Sequence, residues 1–450
     1  MYLDRQRYVR QSSSEATGRA TACPRGRTTC HAECTRRAIV SRTTTTRASR
    51  VLNTVFAPAI RGRDDPAGAW AKAVAQADEE LGVQDPELAD SIGRVFASIV
   101  EEPRLTPLGW FFALSVVRDR YANRLRIKKV LAEHPEAAAE QIKNPVFVLG
   151  LPRTATTLTH KVLAASPEHR GPRAWEMTFT GLEDPEVARR ESKRFDQNIK
   201  IVTRLFAPGL KHIHPIRAED PEESLVLMPH GTFWPLFHGS MHSYRDWYAN
   251  RSEAELAGDY ECLKQGLQVL QHGREPKRWI LKYPAHLNDM PVIKKVFPDA
   301  TFVWTHRDPA TVVGSACSLV ETLWAPYQRE PDPREVGRLI MESMVTWVDN
   351  ALEARLSLPP SSIVDVPYHA LSHDPHTEVP RLYSAIGATW TESDAAQLDQ
   401  VLARPAGTRQ HKYHMARYGL QQAQVEEAFA PYLRLLKGFD SLDAQPTADL

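Results

Sequence analysis

One segment constrains the fold more than any other. Pro145-Val-Phe-Val-Leu-Gly150 is a short unbroken apolar run, and Leu151-Pro-Arg-Thr-Ala-Thr-Thr-Leu158 follows it at once. A helical stretch then continues through His160, Leu163 and Ala164. An apolar run of this length, ended by turn residues, predicts a central strand buried on both faces. Similar runs recur at Arg278–Lys282, Ala300–Trp304 and Ser362–Val366. Helical patterns over 253–272, 292–297, 310–319 and 334–355 separate or flank them. Strands alternating with helices imply an α/β fold with a central parallel sheet and right-handed crossovers. No internal repeat is present.

The loop after the first strand carries the chemistry. A strand–loop–helix turn aims several backbone N–H groups and the positive end of a helix dipole at one spot, which suits an anion, most often phosphate. Arg153 adds a forked cation, and Thr154, Thr156 and Thr157 add hydroxyls. A Walker A loop requires G-x-x-x-x-G-K-[ST]. Here no Lys precedes the Thr pair, and no acidic Mg²⁺ partner is evident. The expectation is a phosphate cradle without the metal equipment of an ATPase.

Pro152-Arg-Thr-Ala-Thr-Thr157 resembles the 5′-phosphosulfate loop, P-[KR]-[ST]-G-T-T, of sulfotransferases that use 3′-phosphoadenosine 5′-phosphosulfate (PAPS). Trp304-Thr-His-Arg-Asp-Pro309, with Ser315 eight residues after Arg307, resembles the family's 3′-phosphate element. Trp279-Ile-Leu-Lys-Tyr-Pro-Ala-His-Leu287 resembles the K-[ST]-P-x-H-L strand end of bacterial members. Tyr368–Pro375, Gln410–His414, Tyr418-Gly-Leu420 and Phe429–Tyr432 look like the tail of that group, so the likeness spans about residues 70–440. It implies a P-loop-like three-layer fold, with PAPS as co-substrate and no metal. It also implies that Arg153, Thr154, Ala155, Thr156, Thr157, Arg307 and Ser315 bind the donor. One departure stands out: Ala155 replaces the usual loop Gly, at a cost of about 1 kcal/mol if the position needs φ > 0.

Sulfuryl transfer resembles phosphoryl transfer, in which catalysis is mostly positioning and charge stabilisation. The resemblance makes Arg153 and Lys282 the catalytic cations. A base must reach the acceptor's proton. His286, four residues beyond Lys282, resembles the histidine base of the cytosolic branch; Glu176, in Arg173-Ala-Trp-Glu176, resembles the acidic base of the protein-tyrosine branch. Glu219, Asp220, Glu222 and Glu223 form a reserve cluster, in which Glu222 and Glu223 also fit as helix caps behind Pro221. The expected reaction is transfer to a hydroxyl, or an amine, of a small-molecule or carbohydrate acceptor. The alternatives are a nucleotide-dependent kinase on the same scaffold, or a non-catalytic nucleotide-binding relative.

The rest of the chain is read more coarsely. Residues 1–50 hold eleven Arg, no Lys and three acids, a net charge of +8, which the remainder offsets to a total of +1. Such a segment buries too little apolar surface to fold, so 1–50 is expected to be a disordered basic leader. It also fits a targeting segment or a mis-assigned start. Residues 51–143 are expected as a helical lead-in packed on the main domain, 144–440 as the catalytic domain and 441–450 as a tail. In the lead-in, 67–81, a helix opening at Asp85-Pro86, and 107–133 read as helices. The last of these is expected to bury Leu108, Phe111, Phe112, Leu114, Val117, Tyr121, Leu125 and Ile127. Zinc binding by Cys23, Cys30, His31 and Cys34 fits no common ligand spacing. His212, His214, His230, His238 and His242 invite a metal reading, and His238 and His242 share a helical face, but no Glu completes H-E-x-x-H. The aromatic run from Phe233 to Tyr248 fits a pocket wall or core packing. Near-neutral total charge argues against nucleic-acid binding, and no run is long enough to span a bilayer. Few cysteines point to a reducing, cytoplasmic setting. Oligomeric state is not legible.

Overall fold

Five strands form one parallel sheet in the order β2-β3-β1-β4-β5. They are β1 (Val146–Gly150), β2 (His169–Arg170), β3 (Arg278–Lys282), β4 (Thr301–His306) and β5 (Ile363–Pro367). The computed structural model describes residues 46–60, 62–182, 184–403 and 414–443. The four apolar runs become β1, β3, β4 and β5. The two-residue β2 has no apolar run to announce it; it forms by pairing His169 with Arg278 and Arg170 with Trp279.

The unbroken apolar character of the strands has a direct cause. Phe147, Leu149, Leu281, Phe302 and Trp304 face one core, whereas Val146, Val148, Ile280, Val303, Val364 and Val366 face another. Helices cover both faces, so successive residues of a strand are buried on opposite sides. The first core takes Phe96, Trp110, Tyr121, Leu263, Val320 and Trp347 from helices Pro86–Val100, Pro107–Glu133, Glu253–Gln271, Pro309–Trp324 and Pro333–Ser357. The second takes Val162, Leu163, Leu371, Val379 and Leu382. Burying one such side chain contributes about 1.5–3 kcal/mol.

The lead-in helices start where the sequence marks them. Asp65, Asp85 and Thr106 each precede a Pro at the first helical position, and their side chains accept from Gly68 N, Leu88 N and Gly109 N. A cap of this kind is worth about 1 kcal/mol. These helices share the first core with the sheet, and all described residues belong to one compact unit.

Four expectations change. Helix Arg47–Phe56, capped by Thr46, begins inside the stretch read as leader. Phe111 is 52% exposed rather than buried. A Cβ on Gly109 would lie 2.1 Å from the Tyr327 carbonyl oxygen, so that side of helix Pro107–Glu133 packs tightly, and Trp110 and Ala113 turn inward instead. His238 and His242 share no helical face: the first helix ends at Gly239 (φ 147) and His242 opens the next one after Met241 (φ 43). Glu223 makes no capping bond from its side chain. Phe233, Trp234 and Tyr244 are buried in the first core. Cys23, Cys30, His31, Cys34, residues 410–413 and residues 444–450 lie outside the described residues.

Candidate functional site at the carboxyl edge of the sheet

The chain runs from β1 out to β2, then back past β1 between β3 and β4, so the strand order reverses beside the carboxyl end of β1. Open α/β sheets bind ligands at such a point. Gly150 closes β1 with φ 142, and a Cβ there would lie 2.5 Å from the Thr305 carbonyl oxygen of β4. Only glycine lets the two strand ends approach this closely. The loop then passes through two left-handed residues, Arg153 (φ 71) and Ala155 (φ 72). Ala155 stands at the N-cap of helix Thr156–Ala164 and offers no capping side chain. The first N–H groups of a helix have no partner within it, which favours an anion there.

The Thr154 hydroxyl turns into the protein. The residue is fully buried, its hydroxyl donates to the Leu151 carbonyl at 2.6 Å, and it lies 2.6 Å from the Thr305 hydroxyl. The hydroxyl shapes the loop from within. Thr156 and Thr157 open the helix, with Thr156 buried and Thr157 half-buried.

Arg153, Arg307 and Ser315 come together. Arg153 Nε donates to Ser315 Oγ at 3.2 Å, and its Nη1 donates to the Ile213 carbonyl at 3.1 Å. Arg307, just beyond β4, donates from Nη1 to the Arg153 carbonyl at 3.0 Å. Its guanidinium lies 3.8 Å over the Tyr368 ring. Asp308 caps the helix that carries Ser315 by accepting from Ala310 N and Thr311 N. Two cations therefore meet at the turn after β1, although 154 residues separate them in sequence.

Lys282 is the last residue of β3, paired with Val148 of β1, and it is fully buried. Its Nζ lies 2.7 Å from Glu223 Oε1 and 3.4 Å from Glu222 Oε1. Burial pushes the Lys282 ammonium down, but Glu223 and Glu222 outweigh it and hold the proton on. Burial likewise pushes the Glu222 carboxyl up, and His214 with Lys282 outweighs that and holds it well below the usual range. His214 Nε2 lies 3.2 Å from Glu222 Oε2. His214, Glu222 and Glu223 bring three ligand-type atoms together, with the Lys282 ammonium already on both carboxylates.

Both base candidates from the sequence are otherwise engaged. His286 is fully buried, with Nε2 2.9 Å from Ser224 Oγ and Nδ1 3.0 Å from Tyr260 OH. Tyr260 donates to Asp289, so its oxygen accepts from His286 Nδ1–H, and His286 Nε2 accepts from Ser224. Burial, then Lys282, pushes the imidazole down to about 3. A neutral ring closed in by Ser224, Tyr260 and Phe147 has no face for an acceptor. It braces the segment that carries Glu222 and Glu223. Glu176 is also buried, 2.9 Å from Arg170 and 3.4 Å from Arg274. Those arginines flank the amino end of β3, the opposite end from Lys282.

The carboxylates at Lys282 are the reserve pair, and the role of His214 was missed. One signal pointed to them: a lysine at the end of a buried strand needs an acidic partner. The sequence does not say which acid supplies it.

A model of the sulfotransferase family matches residues 145–392. A curated relative, omega-hydroxy-beta-dihydromenaquinone-9 sulfotransferase Stf3 of Mycobacterium bovis, is 25% identical over 60% of this chain and 70% of its own. The crystal structure of sulfotransferase STF1 from Mycobacterium tuberculosis superposes with a TM-score of 0.70 and 26% identity, covering 80% of this chain and 98% of that one. Sulfotransferase STF9 from Mycobacterium avium gives 0.69 and 27%, over 81% and 96%.

Proposed function

Because the chain belongs to the sulfotransferase family, we propose that it moves a sulfuryl group from PAPS to a hydroxyl on a hydrophobic acceptor. The observation that carries this is the meeting of Arg153, Arg307 and Ser315 at the turn after β1, beside the buried Lys282. Arg153 and the open end of helix Thr156–Ala164 suit the 5′-phosphosulfate, and Arg307 with Ser315 suits the 3′-phosphate.

In the proposed reaction the sulfur–oxygen bond to the 5′-phosphate breaks as one forms to the acceptor oxygen. The leaving group is 3′,5′-ADP, and Lys282 and Arg153 stabilise the charge growing on the bridging and sulfuryl oxygens. The acceptor's proton passes to Glu223. Glu222 is the poorer base because His214 and Lys282 hold its carboxyl low. The Glu223 side chain remains 18% exposed, on the same ammonium. The relative is named for an omega-hydroxy-dihydromenaquinone, which favours, of the small-molecule and carbohydrate acceptors expected from sequence, a hydrophobic small-molecule alcohol.

Thermal unfolding with 3′,5′-ADP and with Mg-ATP tests the donor assignment. A ligand at ~100-fold its Kd stabilises by about 2.7 kcal/mol. Stabilisation is expected from 3′,5′-ADP and is expected to weaken in Arg307→Ala. A response to Mg-ATP alone would overturn the reading.

A further inference from the structure

Six large hydrophobic side chains stand out as exposed among the described residues, and five of them lie on three neighbouring elements. Val51 (60% exposed), Val55 (64%) and Phe56 project from helix Arg47–Phe56, Phe111 (52%) from the start of helix Pro107–Glu133, and Ile201 from helix Pro185–Leu205. Contacts tie these elements together. Asn53 Oδ1 accepts from Leu108 N at 3.0 Å, and the Thr46 hydroxyl donates to the Leu205 carbonyl. Phe111 lies against Phe112, which meets Phe206 edge-on at 5.1 Å. Scattered exposed hydrophobics need no explanation, but a set concentrated on three touching elements does.

The charge beside this patch is mainly positive. Helix Pro185–Leu205 carries Arg189, Arg190, Lys193, Arg194, Lys200 and Arg204, all exposed. Of its three acids, Glu186 is exposed in the first turn, about four turns from Ile201, Glu191 is buried against Arg190 and Arg194, and Asp196 accepts from Ala218 N. Arg47 and Arg50 add two more exposed cations. All this stands out in a chain whose residues after Arg50 are net acidic, at −7. Exposed apolar side chains rimmed by arginine and lysine are the footprint of a surface that lies on anionic lipid. The patch is also close to the candidate site in sequence: the helix ends at Leu205, and Ile213, eight residues on, holds Arg153.

We propose that this face, formed by helix Arg47–Phe56, Phe111 and the outer side of helix Pro185–Leu205, docks the protein on an anionic lipid bilayer. The docking goes beyond the sulfuryl-transfer reading and does not depend on it.

Co-sedimentation of the full chain with vesicles tests it without donor or turnover, so its failure would leave the sulfuryl-transfer reading standing. The protein is expected to pellet with vesicles of phosphatidylcholine and phosphatidylglycerol, to stay in solution with phosphatidylcholine alone, and to be released near 1 M salt, where the Debye length is about 3 Å. Val51→Asp/Val55→Asp/Phe111→Asp should lower the bound fraction at least about tenfold, and Lys200→Glu/Arg204→Glu should do the same if the first variant misfolds. No binding, equal binding to neutral vesicles, or binding unchanged in both variants would overturn the proposal. So would a dimer in solution that the first variant dissolves, since the patch would then be a self-interface.

Discussion

Lys282 Nζ stands 2.7 Å from Glu223 Oε1, joining the end of β3 to a segment 59 residues earlier in the chain. Neither residue is explained by its local sequence. A lysine with no solvent exposure needs counter-charges, because an unpaired buried ammonium costs several kcal/mol. Glu223 and Glu222 supply them. In the proposed reaction the same ammonium, shared between two carboxylates, turns toward the sulfuryl oxygens of the donor.

Lys282→Met should lower kcat by about 10²–10³, the range seen when a single preorganised charge donor is removed. Single-turnover transfer from labelled PAPS measures it. Near-normal turnover in a folded variant would remove Lys282 from the reaction.

Glu223→Gln tests the base. A lost general base lowers kcat by about 10²–10⁴, and the KM for PAPS should change little. Glu222→Gln should act more weakly on kcat and more strongly on stability, because its carboxylate holds His214 and Lys282 together. The reverse ranking would assign the base to Glu222.

Ala155→Gly should stabilise the protein. Ala155 sits at φ 72, where a Cβ is strained and glycine is not. The gain is set against the extra freedom of glycine in the unfolded chain, leaving about 0.5–1 kcal/mol. Chemical denaturation with an unchanged slope is the readout. A loss of stability would mean that the strain is relieved elsewhere.

Stability should fall on acidification below about pH 6.5. Burial pushes His160 and His286 down to about 3 and His238 down to about 4. An unfolded histidine takes its proton near pH 6.5, so between 6.5 and those values the unfolded chain binds more protons and gains on the native state. Asp289 acts in the opposite sense. Burial raises it to about 6, so from about pH 4 to 6 the native state holds a proton that the unfolded chain has lost, and this contribution declines as pH rises. Melting temperature against pH should therefore show an acid fall that flattens in His286→Asn. Asp289→Asn should raise stability above pH 6, and the absence of any gain there would show that Tyr260 and Asn288 already compensate the buried charge.

What was legible in sequence was what spacing encodes. Apolar runs marked β1, β3, β4 and β5 because a strand buried on both faces needs no polar alternation. The Asp-Pro and Thr-Pro pairs marked helix starts because cap and fixed φ act within four residues. The two-residue β2 left no pattern. Phe111 was misplaced because apolar periodicity does not reveal that Gly109 packs against the Tyr327 backbone.

The sequence by itself determined the parallel sheet, the strand–loop–helix turn after β1 and the order of Arg153, Lys282 and Arg307 along the chain. Each depends on contacts within one strand, one turn or one helix end. Only the tertiary structure decided that Glu222 and Glu223, not His286 or Glu176, meet Lys282, and that Thr154 faces inward. It also left Val51, Val55, Phe56, Phe111 and Ile201 exposed on three elements that touch one another. Long-range pairing of charges and exposure of side chains follow from how the helices pack on the sheet, which no local spacing records.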